Sequence, residues 1–159
     1  MKNLEDTLKI TTFVREVKER TERIDIMRKI IFRGKRVDNS EWVEGYYCRA
    51  FRWAGDKEPV PAIQENDSFM FRTIDPETVG QYTGLIDKNG KMIYENDILN
   101  CEVVGIQYPA KVVFKNGSFG VAYTHRGIDY FNPFTSFVES VEFEIIGNIH
   151  DNPELLKGE

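Results

Sequence analysis

Residues able to do chemistry are concentrated near the middle of the chain, where two tyrosines and two aspartates follow one another at short intervals. They are Tyr82, Asp87, Tyr94 and Asp97. Phenol and carboxyl groups that converge on a cleft can bind a polar ligand or transfer a proton. The same residue types also build β-hairpins and tight turns, in which an aspartate accepts backbone N–H groups. We interpret the stretch as turn chemistry, and these four residues would line the pocket if one forms.

A basic cluster with one phenylalanine inside it is the second candidate site. Its cationic residues are Arg28, Lys29, Arg33, Lys35 and Arg36. Residues 1–36 carry a net charge of +5, whereas residues 37–159 carry −10. The cluster could bind phosphate groups, keep an edge strand from pairing, or pair with the protein's own acidic body. A phosphate backbone would be repelled by the remaining −10, which disfavours the first alternative.

The cysteines and histidines predict neither a metal centre nor a nucleophile. The chain has Cys48, Cys101, His125 and His150, but no Cys-x-x-Cys pair and no His-Glu-x-x-His motif. Both cysteines lie in apolar, strand-like stretches, where a small buried thiol is expected. A phosphate-binding loop and a Gly-x-Ser-x-Gly elbow are also missing from the sequence. We therefore expect no cofactor, no metal and no catalytic residues.

The first 26 residues differ in texture from the rest. Residues 3–26 contain neither Gly nor Pro, and their apolar residues recur at intervals of three or four. This pattern predicts one amphipathic α-helix, within an N-terminal extension covering residues 1–27. The apolar runs are too short for a membrane span, and no signal peptide is recognisable. We therefore expect a cytoplasmic protein.

After residue 28 the sequence is typical of a mainly β domain over residues 28–159. Short runs rich in Val, Ile, Phe, Tyr and Trp alternate with Gly, Asn, Asp and Pro. Asn89-Gly90 and Asn116-Gly117 predict type I′ hairpin turns, which need positive φ at both central residues. The predicted strands lie near 29–33, 41–51, 60–64, 68–74, 78–82, 91–94, 97–104, 107–115, 118–124, 128–131 and 141–150.

One predicted strand carries aromatic residues on both of its faces. Trp42 and Tyr46 share one face, while Tyr47, Phe51 and Trp53 occupy the other. This predicts that one face belongs to the core and that the other is covered by another chain or by the N-terminal helix. Exposed aromatic surface usually marks a protein contact, and a base-stacking platform is the alternative.

Three separated motifs stand out in this chain: a signature from Gln81 to Ile98, the segment Ile31 to Asn39 with Trp42 to Tyr47, and the segment Ile146 to Leu156. Together they resemble the YopX family of phage and prophage proteins. The signature's usual Glu-Gly-Asp is Glu95-Asn96-Asp97 here, and Asn tolerates left-handed φ almost as well as Gly. The resemblance implies a mainly β protein with an SH3-like barrel over about residues 78–150. It implies no activity, because the family has no established one.

Three functional hypotheses follow from these observations. The leading one is a non-enzymatic phage-derived protein that self-associates as a homo-oligomer and binds other phage or host proteins. The second is a nucleic-acid-binding regulator that uses Arg28–Arg36. The third is a nuclease of the toxin type on an SH3-like barrel, which rests on fold analogy alone.

Overall fold

The protein is described here by a computed structural model covering residues 29–51, 57–65, 69–103, 106–137 and 142–156. Short extended segments, separated by turns, form eleven strands in these residues. The strands are β1 (Phe32–Lys35), β2 (Trp42–Ala50), β3 (Val60–Glu65), β4 (Phe71–Thr73), β5 (Gly80–Ile86), β6 (Met92–Tyr94), β7 (Asp97–Val103), β8 (Ile106–Lys115), β9 (Ser118–His125), β10 (Ile128–Pro133) and β11 (Glu144–Asn148).

The strands form two antiparallel sheets. The first sheet has six strands in the order β4-β3-β2-β1-β5-β6, and the second has five in the order β10-β9-β8-β7-β11. The predicted mainly β class is therefore confirmed. Its first sheet supplies the additional N-terminal strands that the sequence predicts.

The predicted SH3-like barrel does not close. β10 and β11 lie at opposite edges of the second sheet and are not paired with each other, and β6 pairs with β5 in the first sheet. Ile93 of β6 instead covers the second sheet with its side chain, packed in one cluster with Leu99 and Val112. β6 is only three residues long, and it contacts the second sheet through this apolar side chain rather than through strand pairing.

An α-helix is absent from the residues that the structure describes, and the fold of this part of the chain is all-β. The helical segments in this part are 3-10 turns at Pro76–Thr78, Phe134–Ser136 and Pro153–Leu156. Residues 3–26, where the sequence predicts the amphipathic helix, lie outside the described residues. No helix of the described chain has the length and hydrophobicity needed to cross a bilayer.

Three apolar clusters hold the sheets together. One lies between β1, β5 and β6 and contains Ile31, Tyr82 and Tyr94. Another lies on one face of the first sheet, where Ile63 and Ile74 are almost fully buried. The largest covers the second sheet and includes Ile93, Leu99, Cys101, Ala110, Val112, Val121 and Phe143.

The two cysteines differ in burial. Cys101 belongs to the largest cluster and is 1% exposed, so burial raises the pKa of its thiol to about 12. Cys48 is half-buried, and burial raises its thiol pKa as well. Both thiols are therefore in the protonated, unreactive form near neutral pH. The predicted buried thiol is confirmed at Cys101 and only partly met at Cys48.

Candidate functional site

Residues from both candidate sites meet where the two sheets join. Arg33 lies on β1 and Asp97 begins β7, 64 positions later in the chain, yet Arg33 Nη2 lies 2.6 Å from Asp97 Oδ1. The two side chains are 13% and 1% exposed. The guanidinium carbon also lies 4.8 Å from the centroid of the Trp42 ring and 4.9 Å from that of Tyr94. We call this group the sheet junction: Arg33, Lys35, Trp42, Tyr94, Asp97 and Asp151.

A tight turn places Asp97 at the sheet junction. Asn96 has a φ of 70°, so the chain reverses between β6 and β7. The second carboxylate oxygen of Asp97 then accepts the backbone N–H of Tyr94 at 2.7 Å. Burial raises the pKa of Asp97, while Arg33 and the N–H group oppose that rise. We expect this buried ion pair to fix how the two sheets meet rather than to add much net stability.

The two tyrosines of the candidate pocket are used in packing. The rings of Tyr82 and Tyr94 lie 5.7 Å apart and belong to the same apolar cluster. Burial, together with the nearby Glu44 carboxylate, raises the pKa of Tyr94. Its phenol is therefore protonated at neutral pH and cannot serve there as a base.

Asp87, the fourth candidate residue, belongs to a different structure. Its carboxylate accepts the backbone N–H groups of Asn89 at 2.8 Å, Lys91 at 2.9 Å and Ile145 at 3.3 Å. Burial acts to raise the pKa of Asp87, but these hydrogen bonds lower it further than burial raises it. Asp87 therefore organises the turn between β5 and β6 and ties it to β11.

A second ion pair crosses the sheet junction nearer the surface. Lys35 Nζ pairs with Asp151, whose other carboxylate oxygen accepts the Trp42 Nε1–H at 2.9 Å and the Asn148 amide at 2.8 Å. The Lys35 ammonium, followed by Asn148, lowers the pKa of Asp151 to about 2. Asp151 is thus held as a carboxylate by three donors from both sheets.

His150 lies against the sheet junction without joining its hydrogen bonds. Its ring centroid is 6.0 Å from that of Trp42. Burial, and then the positive charges of Lys35 and Arg33, lower the pKa of His150, so the imidazole is neutral at pH 7. The sequence does not predict that Trp42 and His150 lie near Arg33. Nothing in the spacing of the residues indicates that β2 and the turn after β11 lie next to β1.

The basic segment does not form one continuous surface. Arg33 and Lys35 are engaged at the sheet junction, whereas Arg36 pairs with Asp38 at 2.6 Å and lies 3.7 Å from Glu41. Lys29 is exposed. Arg28 and Trp53 lie outside the described residues.

An apolar groove opens at the outer edge of the first sheet. It encloses about 590 Å³ along β4. Phe69 is 95% exposed beside it, and Phe51 is 58% exposed. We call it the edge groove, and its apolar lining is Val37, Ala50, Phe51, Ala62, Phe69, Met70 and Phe71. Tyr46 and Tyr47 of the aromatic strand are 56% and 40% exposed outside it. Among the described residues, no three His, Cys, Asp or Glu side chains are placed to hold a metal ion.

These features define a class: an all-β protein of two antiparallel sheets, joined by a neutralised ionic junction and carrying exposed apolar surface. The model of the YopX protein family matches residues 31–157, and the chain belongs to this family. It is similar over 82% of its length to the whole of the crystal structure of protein EF1440 from Enterococcus faecalis, with 22% identity and a TM-score of 0.47. None of the curated proteins matches it.

Proposed function

We propose that this YopX-family protein acts by binding rather than catalysis, and that a second copy of the chain is the partner held at the edge groove. The observation that carries the proposal is the concentration of exposed aromatic side chains at one sheet edge. Phe69 is 95% exposed, Phe51 58% and Phe71 52%. Large apolar patches on soluble monomers usually mark contacts with another molecule.

The edge groove is suited to a copy of itself. Phe69 protrudes next to a concavity of about 590 Å³, which is ample for a phenyl ring. In a two-fold dimer the same patch is used twice, so each Phe69 can enter the groove of the other copy. β4 is the outermost strand of its sheet and lies beside the groove. The Thr73 carbonyl at its end accepts the Val37 N–H at 3.1 Å, so the edge is closed at that end.

The charges around the edge groove are balanced, so a second acidic copy of the chain is repelled less here than elsewhere. The chain carries a net charge of −5, so two copies repel each other at long range. Along the groove, however, Arg36 is paired with Asp38, and Arg72 Nε lies 2.5 Å from Glu65. The local balance is close to neutral, and repulsion between copies is smallest there.

Light scattering after size-exclusion chromatography tests the proposal. A modest interface has a micromolar Kd, so the chain is measured at concentrations up to about 100 µM. At the upper end of this range we expect the mass of a dimer. Phe69→Ser should shift the mass to that of a monomer. Ile128→Ser is the matched control, because it removes a 57% exposed apolar side chain from β10 and should leave the dimer intact. A monomer mass for the full chain throughout this range would overturn the proposal.

Nucleic-acid binding through Arg28–Arg36 is the second candidate function. It has less support, because Arg33, Lys35 and Arg36 all have carboxylate partners within the chain. Binding a phosphate at Arg33 or Lys35 would require the sheet junction to give up the corresponding ion pair. A loss of oligonucleotide binding on replacing Lys29 and Arg36 by Gln would favour this candidate over self-association.

A further inference from the structure

The outer face of the second sheet carries a trough that the preceding proposal does not use. Lys111 on β8, Ala122 on β9 and Phe131 on β10 lie directly across from one another in the ladder, so their side chains share a face. Leu156 of the last 3-10 turn lies along the same cavity, which has a volume of about 650 Å³. We call this the outer trough.

Small residues on β9 leave room for the floor of the outer trough. Ala122 lines the trough, and Gly120, two positions earlier on the same face, leaves space for the ring of Phe131. A Cβ at Gly120 would lie 2.8 Å from Phe131 Cε2 and 2.4 Å from the Asn132 carbonyl oxygen. The edge of the Phe131 ring therefore lies over Gly120, on the floor of the trough.

The outer trough is locally basic in an otherwise acidic body. Lys111, Lys115 and Arg126 line it, and none of the ion pairs between described residues uses them. Lys115 Nζ lies 5.8 Å from the centroid of the Phe131 ring. The one carboxylate in the lining, Asp129, accepts the Thr124 hydroxyl at 2.7 Å.

We propose that the outer trough binds single-stranded nucleic acid, with a base against Phe131 and backbone phosphates at Lys111, Lys115 and Arg126. An aromatic ring on an open sheet face, flanked by cations, is the arrangement by which β-sheets bind unpaired nucleotides. The volume accommodates a nucleotide base and its sugar. A duplex would be bound less well, because its base faces are stacked inside the helix.

Fluorescence anisotropy with labelled oligonucleotides tests the proposal. The oligonucleotides are about 12 nucleotides long, which is within the length that one small β-domain covers. Oligo(dT) and oligo(U) are compared with a duplex of equal length, using the full chain at low salt. We expect saturable binding of at least one single strand, several-fold tighter than that of the duplex. The stronger of the two single strands then identifies DNA or RNA as the ligand.

Two variants probe the base and phosphate contacts separately. Phe131→Leu keeps an apolar side chain but removes the ring, and should weaken binding at least about fivefold. Lys111→Gln with Lys115→Gln should weaken it about tenfold or more at low salt. Lys57→Gln with Lys91→Gln is the matched control, since it removes the same charge from exposed positions outside the trough.

Urea unfolding of each variant separates lost contacts from lost folding. The inference is overturned if neither single strand binds at low salt and about 100 µM protein, which is the weak end of the Kd range for non-specific contacts at physiological salt. It is also overturned if the duplex binds as tightly as both single strands. Equal weakening by the trough variant and the matched lysine control would count against it in the same way.

Discussion

At the scale of single residues, the Arg33–Asp97 pair is the most consequential contact in the molecule. The carboxylate is 1% exposed and the guanidinium lies between the rings of Trp42 and Tyr94. We predict that Arg33→Met lowers the free energy of unfolding by about 3–5 kcal/mol, because it leaves the Asp97 carboxylate buried without its counter-ion. Urea denaturation at neutral pH measures the change.

Lys88→Met provides the control for this prediction. Lys88 pairs with Glu144 at 2.8 Å, but both side chains are more than one-third exposed. Solvent screens such a pair, so we expect no measurable change in the free energy of unfolding. Equal effects of the two substitutions would mean that the sheet junction contributes nothing beyond an ordinary surface ion pair.

Asp151 provides a pH-dependent prediction at the same scale. Its pKa is lowered from 3.8 to about 2, with the Lys35 ammonium as the largest cause. A lowered folded-state pKa contributes stability that is present above pH 3.8 and is lost as the pH falls towards about 2. We predict that Lys35→Gln moves the pKa of Asp151 towards 3.8, as measured by NMR titration of the carboxyl carbon. An unchanged pKa would show that Asn148 and Trp42 suffice to hold the carboxylate.

At the scale of elements, the sequence predicts strands and turns better than it predicts the pairing of strands. Asn116 and Gly117 both have positive φ, as the predicted type I′ turn requires. Asn89-Gly90 lies in the turn that joins β5 to β6, as predicted, but the predicted turn type was wrong, because only Gly90 has positive φ there. The Asp87 side chain accepts the Asn89 N–H, and the Gly90 N–H bonds to the Asp87 carbonyl, which favours a turn one residue earlier. Side-chain capping outweighed the dipeptide preference.

Pairing between distant strands could not be predicted. β1 pairs with β5, and β7 pairs with β11 across a register shift between Ile145 and Gly147. Alternation of apolar residues identifies the face that a strand buries but not its neighbour in the sheet. The meeting of Arg33 with Asp97 depends on those pairings, so the sequence predicts both residues as site candidates without predicting their contact.

Asn96 is the element-scale position most open to a sharp test. Its φ of 70° is unfavourable for any side chain except Asn and Asp, and it immediately precedes Asp97. We predict that Asn96→Ala costs about 1–2 kcal/mol in the free energy of unfolding, whereas Asn96→Gly is close to neutral. Thermal unfolding followed by circular dichroism compares them. If Gly were as damaging as Ala, the Asn96 amide, 3.4 Å from the Val79 carbonyl, would be the feature that matters.

At the scale of the whole molecule, the charge asymmetry of the sequence has a structural use. Residues 1–36 carry a net charge of +5, and residues 37–159 carry −10. Arg33 and Lys35 pair with Asp97 and Asp151, which lie in or just after the second sheet. The interpretation in which the basic segment pairs with the protein's own acidic body therefore agrees with the structure. The identity of the edge strands, by contrast, depends on which strands pair within each sheet. The composition of the sequence does not indicate those pairings.

The two proposed contacts must respond to salt in opposite directions. Copies of a chain with a net charge of −5 repel each other, and salt screens that repulsion, so self-association at the edge groove should strengthen as ionic strength rises. Oligonucleotide binding at the outer trough releases counter-ions from the phosphates that Lys111, Lys115 and Arg126 neutralise. Its affinity should therefore fall as salt rises, with a log–log slope of about −2 for three phosphate contacts. Sedimentation velocity and anisotropy in the same buffers, from about 0.02 to 0.3 M salt, measure both. If both interactions weakened together with salt, self-association would be electrostatic, and the apolar edge groove would not be its interface.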